Sequence, residues 1–172
     1  MEIWDVYDKD RVKTGETAVR GTPLGQGQYH IVVSICIIGS DGKMLIQQRQ
    51  PWKEGYPDLW DITVGGSALA GETSGKAAER EVLEEIGYPL SLTNVRPSFT
   101  VNFYEGFDDF YIVKADIDLS TLRLQQEEVK AVKWASKDEI LSMMDQGSFI
   151  PYHKQIIELI FAMKDHLGAH AN

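Results

Sequence analysis

The chain has 172 residues, 43% of them apolar and 25% charged, with a net charge of −9. That length and balance suit one globular domain over residues 1–172, and no stretch approaches the roughly 18 apolar residues that span a membrane. The acidic surface argues against a nucleic-acid partner, because phosphate backbones need cations. It admits a phosphorylated small molecule where metal ions stand between the two negative partners.

In chain order, the charged segment Met1–Lys13 has no apolar signal core, so a cytoplasmic location is expected. Within it, Ile3–Tyr7 alternates like a short strand. Thr14–Gln28 is rich in Gly and polar residues and reads as a loop or a loose hairpin. His30–Gly39 is β-branched and apolar, a buried strand. It contains the one cysteine, Cys36, which reads as a buried small hydrophobe rather than a reactive thiol. Ser40-Asp41-Gly42-Lys43 is a turn, with Met44–Arg49 as the partner strand. Gln50–Trp60 is a loop, and Asp61–Val64 a short strand ending at Gly65-Gly66.

Ser74–Ile86 has the strongest helical signature, with Thr73 or Ser74 to cap its start and Gly87 to end it. Ser98–Tyr104 and Phe110–Asp116 read as strands around a turn at Glu105–Asp109. Glu128–Trp134 reads as a strand, and Lys137–Met144 and Tyr152–His166 as helices. Strands, a helix, strands and then helices predict a mixed α/β (α+β) sandwich, not a doubly wound parallel sheet.

On the helix Ser74–Ile86, the residues Ala78, Val82 and Ile86 form an apolar stripe with Leu83 at its flank. Glu81, Glu84 and Glu85 share an arc of roughly 100°. A solvated face is the ordinary reading of such acids. Here three carboxylates crowd together with one arginine, Arg80, placed to offset them. A bound Mg²⁺ or Mn²⁺ would relieve that repulsion, since hard divalent ions prefer carboxylate oxygens.

The surrounding residues sharpen this. Gly66, five residues, Glu72, seven residues, then Arg80-Glu81-Val82-Leu83-Glu84-Glu85-Ile86-Gly87-Tyr88 resembles the Nudix box. At about 7% per residue type, seven such matches coincide on the order of once in 10⁸ starting positions. Tyr88 departs from the usual aliphatic residue at a packing position. The resemblance implies an α/β/α sandwich with a mixed sheet and a loop–helix–loop over residues 66–88. It implies metal ligation by Glu81, Glu84, Glu85 and the Gly65 carbonyl, with Glu72 and Arg80 supporting them. The implied reaction is attack of water on a diphosphate, with Glu81, Glu127 or Glu128 as candidate general bases.

Outside the box the chain resembles the isopentenyl-diphosphate isomerase branch, through Trp4–Asp8, Gln28–Val33, Leu45–Arg49, Leu59–Asp61 and Val64–Ser67. The isomerase chemistry does not carry over. Its cysteine position is Gly65, a histidine position is Ser67, and of the isomerase metal histidines only His30 has a match. One of the isomerase's two acidic positions corresponds to Asp109, the other to Phe107. A hydrolase of a nucleoside diphosphate linked to another moiety, or of a similar diphosphate, is therefore expected. Isomerase-like prenyl-diphosphate chemistry and a nucleotide-sensing module are the alternatives. Arg49, Gln50, Trp52 and Trp60 on one side, and Tyr104, Phe107 and Phe110 on the other, are candidates to line the substrate pocket, with core packing the simpler role for each taken singly. The resemblance also admits a homodimer.

Overall fold

The computed structural model describes residues 1–170. Its centre is β3 (His30–Ile38), whose side chains alternate between two cores. Val33, Ile35 and Ile37 pack with Ala78, Val82 and Ile86 of helix α1 (Ser74–Ile86). Cys36 and Ile38 face the other way, toward Ile140 of α2 (Lys137–Asp145) and Ile157, Ile160 and Phe161 of α3 (Lys154–Ala162). A strand covered on both faces is continuously apolar, and the sheet is thereby sandwiched between helices.

The mixed sheet has seven strands. β3 pairs in parallel with β8 (Gly106–Lys114), which pairs antiparallel with the edge strand β7 (Phe99–Phe103). On its other side β3 meets β4 (Met44–Arg49) only at Ile38 and Met44. The two strands then splay, and the chain segment after Leu59 wedges between them. β5 (Trp60–Asp61) pairs with β4, and β6 (Val64–Ser67) pairs with β3 from Ile35↔Val64 to Val32↔Ser67. Thr63 joins the two halves. Its hydroxyl accepts from the Ile37 backbone N–H at 2.8 Å and donates to the Leu45 carbonyl at 2.5 Å. One side chain thus stands in for the missing ladder bonds of two buried backbone groups. β9 (Val129–Ala135) pairs with the free edge of β4.

Several boundaries differ from the sequence reading. The strand expected at Asp61–Val64 is two strands, and the second runs on through both glycines. Ser40–Lys43 does turn the chain, yet it joins strands that hardly pair. β8 begins at Gly106, four residues early, because the turn is confined to Tyr104-Glu105. α3 runs only from Lys154 to Ala162, with His153 extended at ψ 126° as its N-cap and Tyr152 outside the helix. The segment expected as a loop or loose hairpin at Thr14–Gln28 contributes to β2 (Lys13–Val19), paired antiparallel with β1 (Ile3–Tyr7) in a separate hairpin.

Candidate active site

Helix α1 is capped at both ends as its sequence requires. The Thr73 hydroxyl accepts from the Lys76 N–H at 3.3 Å, and Gly87 takes the left-handed conformation at φ 71°. Its stripe differs from the expected one. Leu83 is 55% exposed, whereas Glu85 is buried. Glu85 follows Ala78 by seven residues and so lies only about 20° from it around the helix. The fold turns this carboxylate toward the sheet, where the Gln47 amide donates to it at 2.8 Å.

Burial pushes the Glu85 carboxyl up to about 8, and the nearby carboxylates Glu81, Glu128 and Asp61 add to the effect. Burial likewise raises Glu81, against the lowering pull of Arg80. Glu81, Glu84, Glu85 and Glu128 line one pocket of about 140 Å³, together with Gly65, Gly66, Arg49, Lys53, Arg80 and Gln125. Gly66 leaves the Glu81 side chain its present position: a Cβ here would overlap the Glu81 carboxyl and push it aside.

Arg80 organises the floor. Its Nε donates to Glu72 Oε1 at 2.8 Å and its Nη2 to Glu72 Oε2 at 3.0 Å. Nη2 also donates to the Ser67 carbonyl at 3.0 Å, tying the loop to the helix. Nη1 reaches Glu81 at 2.9 Å and Glu84 at 3.1 Å. Glu72 in turn accepts from the Leu69 N–H at 2.9 Å. A guanidinium shared by three carboxylates is strongly held in its charged form, and its pKa rises accordingly.

The other sequence candidates divide. Arg49 lines the pocket, its Nε donating to the Gly55 carbonyl at 2.9 Å and its Nη1 lying 3.8 Å from Asp61. Glu128 lines it too and pairs with Lys53. Glu127 is exposed and offers only its backbone carbonyl, to the Trp52 indole at 3.2 Å. Trp60 does not line the pocket; it packs against the α2–α3 core with Lys133 Nζ 4.7 Å above its ring. Tyr104 lies apart from this pocket. It is fully exposed on the β7–β8 turn and borders a different open pocket, of about 690 Å³, with Tyr29, Phe103 and Phe107. That larger pocket has no carboxylate in its lining. Sequence reasoning missed Lys53, Gln125, Glu2 and Arg20 as pocket residues. Only Lys53 had a hint, from its place in the loop that follows Arg49.

His30 is buried and stacks on Trp4 at 4.1 Å, with burial lowering its pKa. Asp109 is fully buried and taken up by Arg11 and Thr100. Cys36 is fully buried in the α2–α3 core, and burial pushes its thiol well above the usual range.

The family model for the NUDIX domain matches residues 28–158. The chain belongs to the Nudix family. It is a hydrolase of that family, a pyrophosphohydrolase. It is 43% identical over 170 residues to an uncharacterized Nudix hydrolase of Listeria monocytogenes, covering 99% of both chains. It is 24% identical to an isopentenyl-diphosphate Delta-isomerase of Nocardia farcinica, over 90% of this chain and 92% of that one. In fold it matches a crystal structure from Deinococcus radiodurans with a TM-score of 0.72 and 22% identity, covering 92% of this chain and 97% of the other.

Nudix hydrolases generally use divalent metal ions. The donor set here fits a hard divalent cation, being carboxylates that line one pocket with Gly65 and Gly66. The clearest sign is Glu85, a buried carboxylate with one neutral amide donor and like charges around it. Among the described residues, no three His, Cys, Asp or Glu side chains already converge on a common metal point. Glu81 and Glu84 point instead to Arg80.

Proposed function

We propose that this enzyme hydrolyses the diphosphate linkage of a nucleoside diphosphate joined to another moiety, or of a similar organic diphosphate, with Mg²⁺ or Mn²⁺. The observation that carries the reading is the buried, uncompensated Glu85 beside Glu81 and Glu84 in one pocket. Glu81, Glu84, Glu85 and the Gly65 carbonyl would hold the ions. Once bound, the ions neutralise phosphoryl charge and make water a better nucleophile.

The protein's own groups do the rest. Arg80 clamps Glu72 and the Ser67 carbonyl, fixing the loop that carries the glycines against the helix. Gly66 leaves room for the Glu81 carboxyl. Arg49 and Lys53 put positive charge on the pocket wall, where phosphoryl oxygens are the fitting partners. Glu128 and Glu81, which both line the pocket, are the candidate general bases that would take a proton from water. If Glu128 serves, its Gln variant should lower kcat by about 10²- to 10⁴-fold with metal binding intact, whereas Glu81→Gln, at a residue that would hold the ions, should weaken metal binding as well.

Nothing in the pocket favours isomerase chemistry, because the only thiol lies in the α2–α3 core. The test is a mass-spectrometric screen of nucleotide sugars, dinucleotides, nucleoside triphosphates and prenyl diphosphates with Mg²⁺ or Mn²⁺ in ¹⁸O water. Label in a phosphate product is the expected result. Conversion of isopentenyl diphosphate to its allylic isomer would reverse the assignment. Tight ligand binding without turnover would make the protein a sensor.

A further inference from the structure

The β1–β2 hairpin lies before residue 28, where the match to the family domain begins, yet it reaches the catalytic pocket. Glu2 and Arg20 both line that pocket. They pair with each other, Arg20 Nη1 to Glu2 Oε2 at 2.8 Å, and both side chains remain about half exposed.

The hairpin is fastened where it matters. The Ala70 N–H donates to the Ile3 carbonyl at 2.7 Å, and the Gly71 N–H to Asp5 Oδ2 at 2.8 Å. Both donors belong to the loop that leads into α1. Tyr7 and Tyr29 exchange backbone hydrogen bonds of 2.8 and 2.9 Å, which ties the hairpin to the entry of β3. Trp4 stacks on His30 underneath. At the hairpin's turn, Arg11 donates into the buried Asp109. A hairpin alone is marginal in water. These contacts fix it as one wall of the pocket, with Arg20 at the rim.

We infer that the hairpin is a substrate-binding wall and that Arg20 binds an anionic oxygen of the diphosphate. The inference rests on the diphosphate reading above. The chemistry follows from charge. Arg80 is committed to three carboxylates, Lys53 is paired with Glu128, and Arg49 is tied to the Gly55 carbonyl and lies 3.8 Å from the buried Asp61, so Arg20 adds a further cation to those on the wall. Arg20 is held only by Glu2 at a half-exposed site, a pairing of little net strength in water. A diphosphate oxygen offers the same fork a stronger, charge-assisted partner. Glu2 is then the competitor that substrate displaces.

The test uses methylenediphosphonate, a non-hydrolysable diphosphate, titrated by calorimetry into the full chain with Mg²⁺. Arg20→Ala should bind it about ten-fold more weakly, in the range expected for one charged hydrogen bond. Glu2→Gln should bind it more tightly than the parent protein, because Arg20 is released. Neither change touches the backbone bonds that fasten the hairpin, and thermal melts of both variants check this. If the parent protein fails to bind the probe, the diphosphate reading falls and this inference with it. If the parent binds and Arg20→Ala matches it, the inference alone is overturned. Weaker binding by Glu2→Gln would also overturn the competitor role.

Discussion

Two groups of acids lie on or beneath the same sheet, and they are treated in opposite ways. Asp61 and Asp109 are buried and matched. Asp109 receives Arg11 and Thr100, and Asp61 accepts from the Tyr152 hydroxyl at 2.8 Å and from the Ile62 N–H at 2.8 Å. Glu81, Glu84 and Glu85 crowd around one guanidinium and one amide, beside an open pocket. Burial by itself therefore does not mark function in this molecule. A buried carboxylate with a dedicated partner holds the fold together. A buried carboxylate that lacks one, and lines a pocket, is the kind of group whose charge a bound cation would offset.

That contrast can be broken by substitution. Glu85→Gln should abolish nearly all turnover, since losing several kcal/mol of metal-based stabilisation corresponds to about 10²- to 10³-fold in rate. Its thermal stability should hold, because the amide still accepts from Gln47. Full turnover in this variant under Mg²⁺ would remove Glu85 from the site. Arg11→Ala should do the reverse. It leaves Asp109 buried and unpaired at a cost of about 3–5 kcal/mol in denaturant unfolding. Activity per folded molecule should be less affected.

Tyr152→Phe is a milder probe of the matched set. Asp61 loses one donor, and the expected cost is about 1–2 kcal/mol. Arg49 stands 3.8 Å from Asp61, so the same variant tests whether that carboxylate steadies the Arg49 guanidinium. A raised KM at unchanged kcat is the expected signature.

Asp108 adds a dependence on pH. Burial raises its carboxyl to about 6 from 3.8, despite a hydrogen bond from Ser34, and its Oδ1 has no partner. The folded state thus holds this proton more tightly than the unfolded state. Stability is lost as pH rises from about 4 to about 6. Asp108→Asn removes that loss. It should be more stable than the parent at pH 8 by on the order of 1–3 kcal/mol, with no gain near pH 4. Equal melting shifts at both pH values would contradict the sign.

The core of the site was legible because its information is local. Gly66, Glu72, Arg80 and the three glutamates occur at a fixed spacing in one short segment, and Thr73 and Gly87 bound the helix as written. Less legible were residues whose position depends on pairing between distant segments. Arg20 and Glu2 reach the pocket only because the hairpin docks on the Leu69–Gly71 loop. Tyr104 was a candidate to line the substrate pocket by its place in the chain, and the β7–β8 turn carries it to a pocket apart from the glutamates. Trp60 was drawn into β5 and the α2–α3 core.

Glu85 shows the division most clearly. The sequence by itself determined that it lies on a helix among glutamates, since hydrogen bonds four residues apart impose that geometry whatever surrounds them. It also determined that β3 is buried and that the box is present. Only the tertiary structure decided that Glu85 faces inward. The splay of β3 from β4, bridged by Thr63, leaves Gln47 to meet that carboxylate. Strand register, and the low-dielectric surroundings it creates, depend on contacts between segments far apart in the chain. No local pattern encodes them.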